Sequence, residues 1–128
     1  MNITITFSGP AWSWVNTSWL LLWELLAHKW YNVIGDKEYA SIIKWNNNIF
    51  TLYISENEHY ISSKLDFFFA FDEFGIEKNA KVYELGEIYR IFEQKPKYLN
   101  TFSYAAACKL LWISKEEWLN LLKAKIHK

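Results

Sequence analysis

Two short stretches of this chain hold residues whose types and spacing could do chemistry. The first runs from Ser8 to Val15, Ser-Gly-Pro-Ala-Trp-Ser-Trp-Val, between an alternating apolar run and a helical one. A strand-to-helix turn presents backbone N–H groups and the positive end of a helix dipole, which together suit a phosphate. Gly9, Trp12, Ser13 and Trp14 are the candidate contacts. A purely structural turn is the alternative, favoured if the two indoles fill the space. The second stretch is the polar cluster Tyr39, Ser41 and Lys44, just before a turn. Lys44 suits a phosphate or a carboxylate. A loop that contacts another subunit is the alternative there.

The other reactive side chains read as structural. His28, His59 and His127 lack metal-ligand spacing. Cys108 lies in the apolar helical stretch 105–111 and reads as a core thiol. Asp72-Glu73 reads as the start of a short helix rather than an acid–base pair. Serine, histidine and aspartate are present, but no motif arranges them as a triad. No catalytic residue and no metal ligand is therefore expected.

The elements that position these residues must fit in 128 residues, the length of one domain. Lysine and arginine number 14, and aspartate and glutamate also number 14. Zero net charge lacks the basic surplus of a nucleic-acid binder. The 52% hydrophobic content excludes a disordered chain. A single cysteine excludes a disulfide framework and implies a reducing, cytoplasmic setting. Trp19–Ala27 is apolar except for Glu24, too short for the roughly 20 residues of a membrane span. Charge is uneven along the chain. Residues 56–93 hold nine acids and four bases, and residues 94–128 hold seven bases and two acids.

Ile3, Ile5 and Phe7 alternate with threonines and predict a first strand. Helical periodicity follows from Trp12 to Lys29, with Val15, Trp19, Leu22, Trp23 and Leu26 on one face. Strands are predicted at 31–34, closed by Gly35-Asp36, and at 49–55, 66–71 and 81–85. A brief helix is predicted at 72–79. Residues 87–99 are ambiguous, and Pro96 breaks any helix there. Asn100-Thr101 starts a helix to Leu111. Ser114 and Glu117 form a capping box for a last helix ending near Ile126. A strand–helix–strand opening predicts an α/β fold: a three-layer, Rossmann-like domain with a mostly parallel sheet.

The tryptophan and glycine counts are inverted. There are 8 Trp and 4 Gly, whereas average usage of about 7% predicts roughly nine glycines. Seven tryptophans fall where glycine or a small residue belongs. Trp12 and Trp14 are in the first turn, and Trp45 stands before three asparagines. Trp19 and Trp23 lie on the helix face that presses on the sheet. Trp30 and Trp112 lie just past helix ends, the position where glycine turns left-handed. Only Trp118 has an ordinary place, inside an amphipathic helix. UGA codons translated as tryptophan, in an organism that reads them as glycine, would produce this pattern. A real tryptophan stripe is the alternative, since Trp12, Trp19, Trp23 and Trp30 fall within about 40° on a helical wheel. If the tryptophans are as written, poor folding is expected.

With glycine at those positions the chain resembles the gamma domain of 2-oxoacid:ferredoxin oxidoreductases, of the pyruvate, ketoisovalerate and 2-oxoglutarate type. That family opens with a strand and a Gly-Gln-Gly-Val turn, matched by Trp12, Ser13, Trp14 and Val15. Its first helix ends Lys-Gly-Tyr, matched by Lys29, Trp30 and Tyr31. Its Tyr-x-Ser-x-Ile-Arg/Lys-Gly segment is matched by Tyr39, Ser41, Ile43, Lys44 and Trp45. A strand from Asn48 to Ser55, an Asp66-led strand through Phe71, and Asn100 before Ala105–Ala107 complete the likeness. Ser13 replaces the usual glutamine and Asn46 a second glycine. The segment between Phe71 and Lys81 is short for the family, and the chain ends early.

The resemblance implies that residues 1–128 are a single gamma-type domain, complete or truncated, of a multi-subunit enzyme. That enzyme oxidatively decarboxylates a 2-oxoacid to an acyl-CoA and passes the electrons to ferredoxin. Thiamine diphosphate and iron–sulfur clusters are expected on partner subunits. This domain would be accessory and inactive alone, with a CoA contact at Gly9, Trp12, Ser13, Trp14, Tyr39, Ser41 and Lys44. A free-standing α/β module for a nucleotide or CoA is the alternative.

Overall fold

The computed structural model describes residues 2–10, 15–38, 48–56, 58, 60–93 and 98–126. The elements are β1 (Asn2–Gly9), α1 (Val15–His28), β2 (Asn32–Glu38), β3 (Asn48–Ser55), β4 (Lys64–Ala70), α2 (Glu73–Ala80), β5 (Glu84–Arg90), α3 (Leu99–Leu110) and α4 (Lys115–Ile126). A single 3-10 turn, Ile91–Glu93, follows β5.

One five-stranded sheet runs in the order β2-β3-β1-β4-β5. It is mixed, which corrects the expectation of a mostly parallel sheet. β1, β4 and β5 are parallel neighbours. β3 runs antiparallel to both β1 and β2. β1–α1–β2 is still a strand–helix–strand opening, and its two strands run the same way. However, β3 is inserted between them, so the opening pair does not touch. Spacing along the chain shows that a crossover exists but not which strand fills the gap.

The two faces of the sheet differ. Ile5 and Phe7 of β1, Phe50, Leu52 and Ile54 of β3 and Phe69 of β4 pack against α1, α3 and α4 in the main core. Phe68 and Ala70, which alternate with Phe69, form a smaller cluster with Ile76 of α2. The second face of β1 and β3 is hydroxyl-lined: Thr4, Thr6, Ser8, Thr51 and Ser55 are all buried. Thr6 and Thr51 share a hydrogen bond of 2.9 Å, and Thr4 meets the Tyr60 hydroxyl at 2.8 Å. At the start of β1 the Thr4 N–H donates to Asp66 Oδ2 at 2.8 Å, which ties β1 to β4 just before their ladder begins.

Two boundaries differ from expectation. β2 runs on through Gly35 instead of stopping there. A Cβ at Gly35 would lie 2.2 Å from the Trp23 ring, so the bare backbone makes room for that indole rather than a turn. β5 spans Glu84–Arg90 instead of 81–85. Its Gly86 sits against the backbone of β4, where a Cβ would lie 2.4 Å from the Asp66 carbonyl oxygen. The apolar Val82 drew the prediction too early, and that residue is exposed. The capping box is in place: the Glu117 N–H donates to Ser114 Oγ at 3.3 Å, and Ser114 Oγ donates to Glu117 Oε1 at 3.0 Å.

Candidate functional site

β1 and β4 lie side by side and parallel, yet their following helices leave to opposite faces of the sheet. α1 covers the main core and α2 covers the smaller cluster. In open α/β sheets this divergence leaves a crevice beyond the carboxyl ends of the two strands. Ser8 and Gly9 end β1 at that point. Gly9 is buried and pairs with Asn48 of β3. Ser8 pairs with Ala70, and its carbonyl accepts the Phe71 N–H at 2.8 Å.

The Ser8 hydroxyl is fully buried and, among the described residues, has no hydrogen-bond partner. A buried polar group usually has one, because leaving it unmade costs free energy. The two helix starts at this end also differ in charge. The first turn of α1 holds no acidic residue, so its positive dipole end is not neutralised from within. The start of α2 is already occupied. Asp72 Oδ1 accepts the Gly75 N–H at 3.0 Å, Glu73 follows, and Arg90 Nε lies 3.4 Å from Glu73 Oε1. Asp72-Glu73 thus opens a short helix as expected. An anion at this end of the sheet suits the α1 side and is opposed on the α2 side.

Of the sequence-derived contacts, Gly9 is described, at the carboxyl end of β1. Trp12, Ser13, Trp14, Tyr39, Ser41 and Lys44 lie outside the described residues, as do Trp45, His59 and His127.

Cys108 is fully buried in α3, and burial pushes its thiol up to about 12, with the Tyr104 hydroxyl pulling the other way. Tyr104 is raised too, chiefly by burial, and donates to the Trp118 carbonyl at 2.9 Å. Both groups stay neutral in water near pH 7 and serve packing. Among the described residues, no group of three or more His, Cys, Asp or Glu is placed to hold a metal ion. No described helix is long and apolar enough to cross a membrane.

Two surface grooves are lined by other residues. One of about 1000 Å³ runs between Phe69 and Tyr89 of the sheet and Phe102, Trp112 and Trp118. The other, about 550 Å³, lies along α1 beside Trp23 and Lys125. Neither is lined by Ser8 or Gly9. Sequence reasoning missed the hydroxyl clasp between α1 and α3. There Ser18 Oγ donates to the Asn100 carbonyl at 2.7 Å and lies 2.6 Å from Ser103 Oγ. The available signal was a lone serine inside the apolar face of α1.

No family model and no curated protein matches the sequence. Solved structures match the fold over nearly all of this chain. The 2-oxoglutarate:ferredoxin oxidoreductase from Magnetococcus marinus, solved with 2-oxoglutarate, coenzyme A and succinyl-CoA bound, matches with a TM-score of 0.80 at 16% identity. The match covers 97% of this chain and 27% of that one, so this chain spans about a quarter of that relative. The gamma subunit of a keto/oxoacid ferredoxin oxidoreductase from Geobacter sulfurreducens matches with a TM-score of 0.72 at 12% identity, over 95% of this chain and 85% of that one. A pyruvate oxidoreductase subunit from Thermotoga maritima matches with 0.62 at 15% identity, over 99% and 86%. The fold is that of the gamma subunits and domains of 2-oxoacid:ferredoxin oxidoreductases, as the sequence resemblance implied.

Proposed function

We propose that this chain is an accessory gamma-type domain of a multi-subunit 2-oxoacid:ferredoxin oxidoreductase, with residues 1–128 forming one domain. The observation that carries the reading is the near-full-length match to an enzyme of that class, with a TM-score of 0.80. The local motifs at Lys29–Tyr31 and Tyr39–Trp45 support it independently. The enzyme converts a 2-oxoacid to an acyl-CoA and delivers electrons to ferredoxin. Thiamine diphosphate and iron–sulfur clusters sit on partner subunits. A cluster needs several cysteine ligands, and this chain has one, which is buried. The same single thiol supports a reducing, cytoplasmic setting.

Coenzyme A is the ligand that suits the β1 crevice. Its phosphates supply the negative charge, and its thiol takes the acyl group. Among the described residues nothing takes up the Ser8 hydroxyl, which leaves a donor to spare. The Gly9 backbone brings no side chain to the strand end. The start of α1 is free of acidic residues. Ser13 and Lys44 would add polar contacts through the turn and the loop that follow. These residues bind and orient, and none of them transfers a proton.

The test is co-expression with the thiamine-binding and cluster subunits of a 2-oxoacid:ferredoxin oxidoreductase from the same organism, followed by assay of CoA-dependent ferredoxin reduction. Activity of the assembled complex, lost when this chain is omitted and absent from the chain alone, is the expected result. A chain that stays monomeric with those subunits present and still binds CoA would overturn the reading in favour of the free-standing module.

A further inference from the structure

We infer that the polypeptide made in the source cell carries glycine, not tryptophan, at positions 30 and 112. Among the described residues, only Trp30 and Trp112 combine a side chain with a left-handed backbone, at φ 67° and φ 61°. No described glycine has a positive φ. The usual allocation is reversed: glycine sits where any residue's φ would do, and the bulkiest residue sits where glycine is favoured.

Both positions are imposed by the same motif. Past α1, the Trp30 N–H donates to the Ala27 carbonyl at 3.1 Å and the Tyr31 N–H to the Leu26 carbonyl at 3.2 Å. Past α3, the Trp112 N–H donates to the Lys109 carbonyl at 3.1 Å and the Ile113 N–H to the Cys108 carbonyl at 3.0 Å. This is the double hydrogen bond of a Schellman stop, which requires a left-handed residue at the first position past the cap. Apolar residues flank both stops: Leu26, Cys108 and Ile113 belong to the main core, and Tyr31 packs against it. The chain has to turn back into the core at Tyr31 and Ile113, so φ at the preceding residue cannot relax.

Nothing on the side-chain side offsets that strain. Trp30 is 91% exposed and Trp112 is 94% exposed. An indole in solvent gains neither burial nor a hydrogen bond. Contrast Trp19, which is buried and donates Nε1–H to the Thr51 carbonyl at 2.9 Å. Two strained, exposed tryptophans at equivalent helix stops, in a chain with twice as many tryptophans as glycines, are explained together by one cause. The codon at these positions is read as glycine where the protein is made.

Peptide masses of the protein purified from its source organism test this. Cleavage after lysine releases the segments 30–37 and 110–115, each with one disputed position. Glycine masses at both, with UGA in the gene, are the expected result. A tryptophan mass at either position overturns the inference. Its physical basis has a separate readout on recombinant full-length chain. Trp30→Gly and Trp112→Gly should each raise the folded-to-unfolded ratio about fivefold, the equivalent of the lower end of the left-handed penalty. Trp118→Gly, inside α4 and packed on Tyr104, should lower it. A Trp30→Gly and a Trp112→Gly that both leave stability unchanged would overturn the strain argument.

Discussion

Trp19 and Trp112 are the same residue in opposite situations. Trp19 sits on the buried face of α1, its ring 5.1 Å from Phe50 and 5.0 Å from Trp23, with its N–H satisfied. Trp112 stands past the end of α3 with a left-handed backbone and a solvent-exposed indole. By sequence alone seven tryptophans are misfits, because each occupies a position suited to a small residue. The structure divides that set. Trp30 and Trp112 are at left-handed helix stops, as expected. Trp19 and Trp23 are accommodated, against expectation, because the neighbouring strands leave space for them. What marks a misplaced large residue is a backbone it cannot adopt, since a packed face can reshape around volume and a Schellman stop cannot reshape around a Cβ.

That contrast predicts opposite signs for similar truncations. Trp19→Ala should cost about 3–5 kcal/mol, the range for deleting a buried aromatic, measured by urea unfolding. A cost near zero would return Trp19 to the misfit group. Gly35→Ala is the next largest. Its methyl would collide with the Trp23 ring, so a loss of about 1–3 kcal/mol is expected from overpacking. In a Trp23→Ala background the same change should cost much less, because the colliding ring is gone. A cost unchanged in that background would place the constraint in the β2 backbone instead.

The strands were legible wherever one face alternates. Ile3–Phe7, Ile49–Ser55 and the phenylalanine run of β4 were found close to their true limits because burial on one or both faces is written in the side chains. β5 was misplaced because it is an edge strand with exposed Glu84 and Glu87 and a central glycine, a pattern that reads as loop. Strand order was not legible, since pairing is decided by long-range packing and not by local spacing. Of the candidate site, the turn after β1 could be located from Gly9-Pro10 and the helix that follows. The Ser8 hydroxyl, without a partner among the described residues and proposed above as a ligand contact, could not. A serine at a strand end looks the same whether or not its hydroxyl finds a partner.

Cys108 and the helix ends give the next contrast, between buried and exposed titratable groups. The Cys108 thiol is raised from 9.0 to about 12 by burial. Folding therefore favours its protonated form. That contribution is complete below the unfolded value and is lost as pH rises toward the folded one, at no more than about 1.4 kcal/mol per pH unit. Native protein at neutral pH should resist alkylation, and the thiol should react only as the chain unfolds in denaturant. Rapid native labelling would mean that α3 opens locally.

The smallest effect is expected at the surface, where Lys29 at the end of α1 meets Glu117 in the first turn of α4. Lys29 Nζ lies 2.6 Å from Glu117 Oε2. The Glu117 carboxyl is held below its ordinary value, first by that hydrogen bond and then by Ser114. Folding thus favours the ionised form. The contribution is present at neutral pH and disappears as pH falls through the lowered folded value. Glu117→Gln keeps a group that can hydrogen-bond Ser114 and removes the charge, so its unfolding midpoint should fall slightly below that of the parent at neutral pH. The two midpoints should converge in acid. A difference that persists in acid would assign the effect to the Ser114 cap and not to the ion pair. Lys29 immediately precedes Trp30, so the pair also reports on the strained stop. If relieving the strain lets the end of α1 settle, the Glu117→Gln loss should be the same or larger in the Trp30→Gly background. A loss that vanishes there would mean the ion pair serves only to hold a tryptophan-strained end in place.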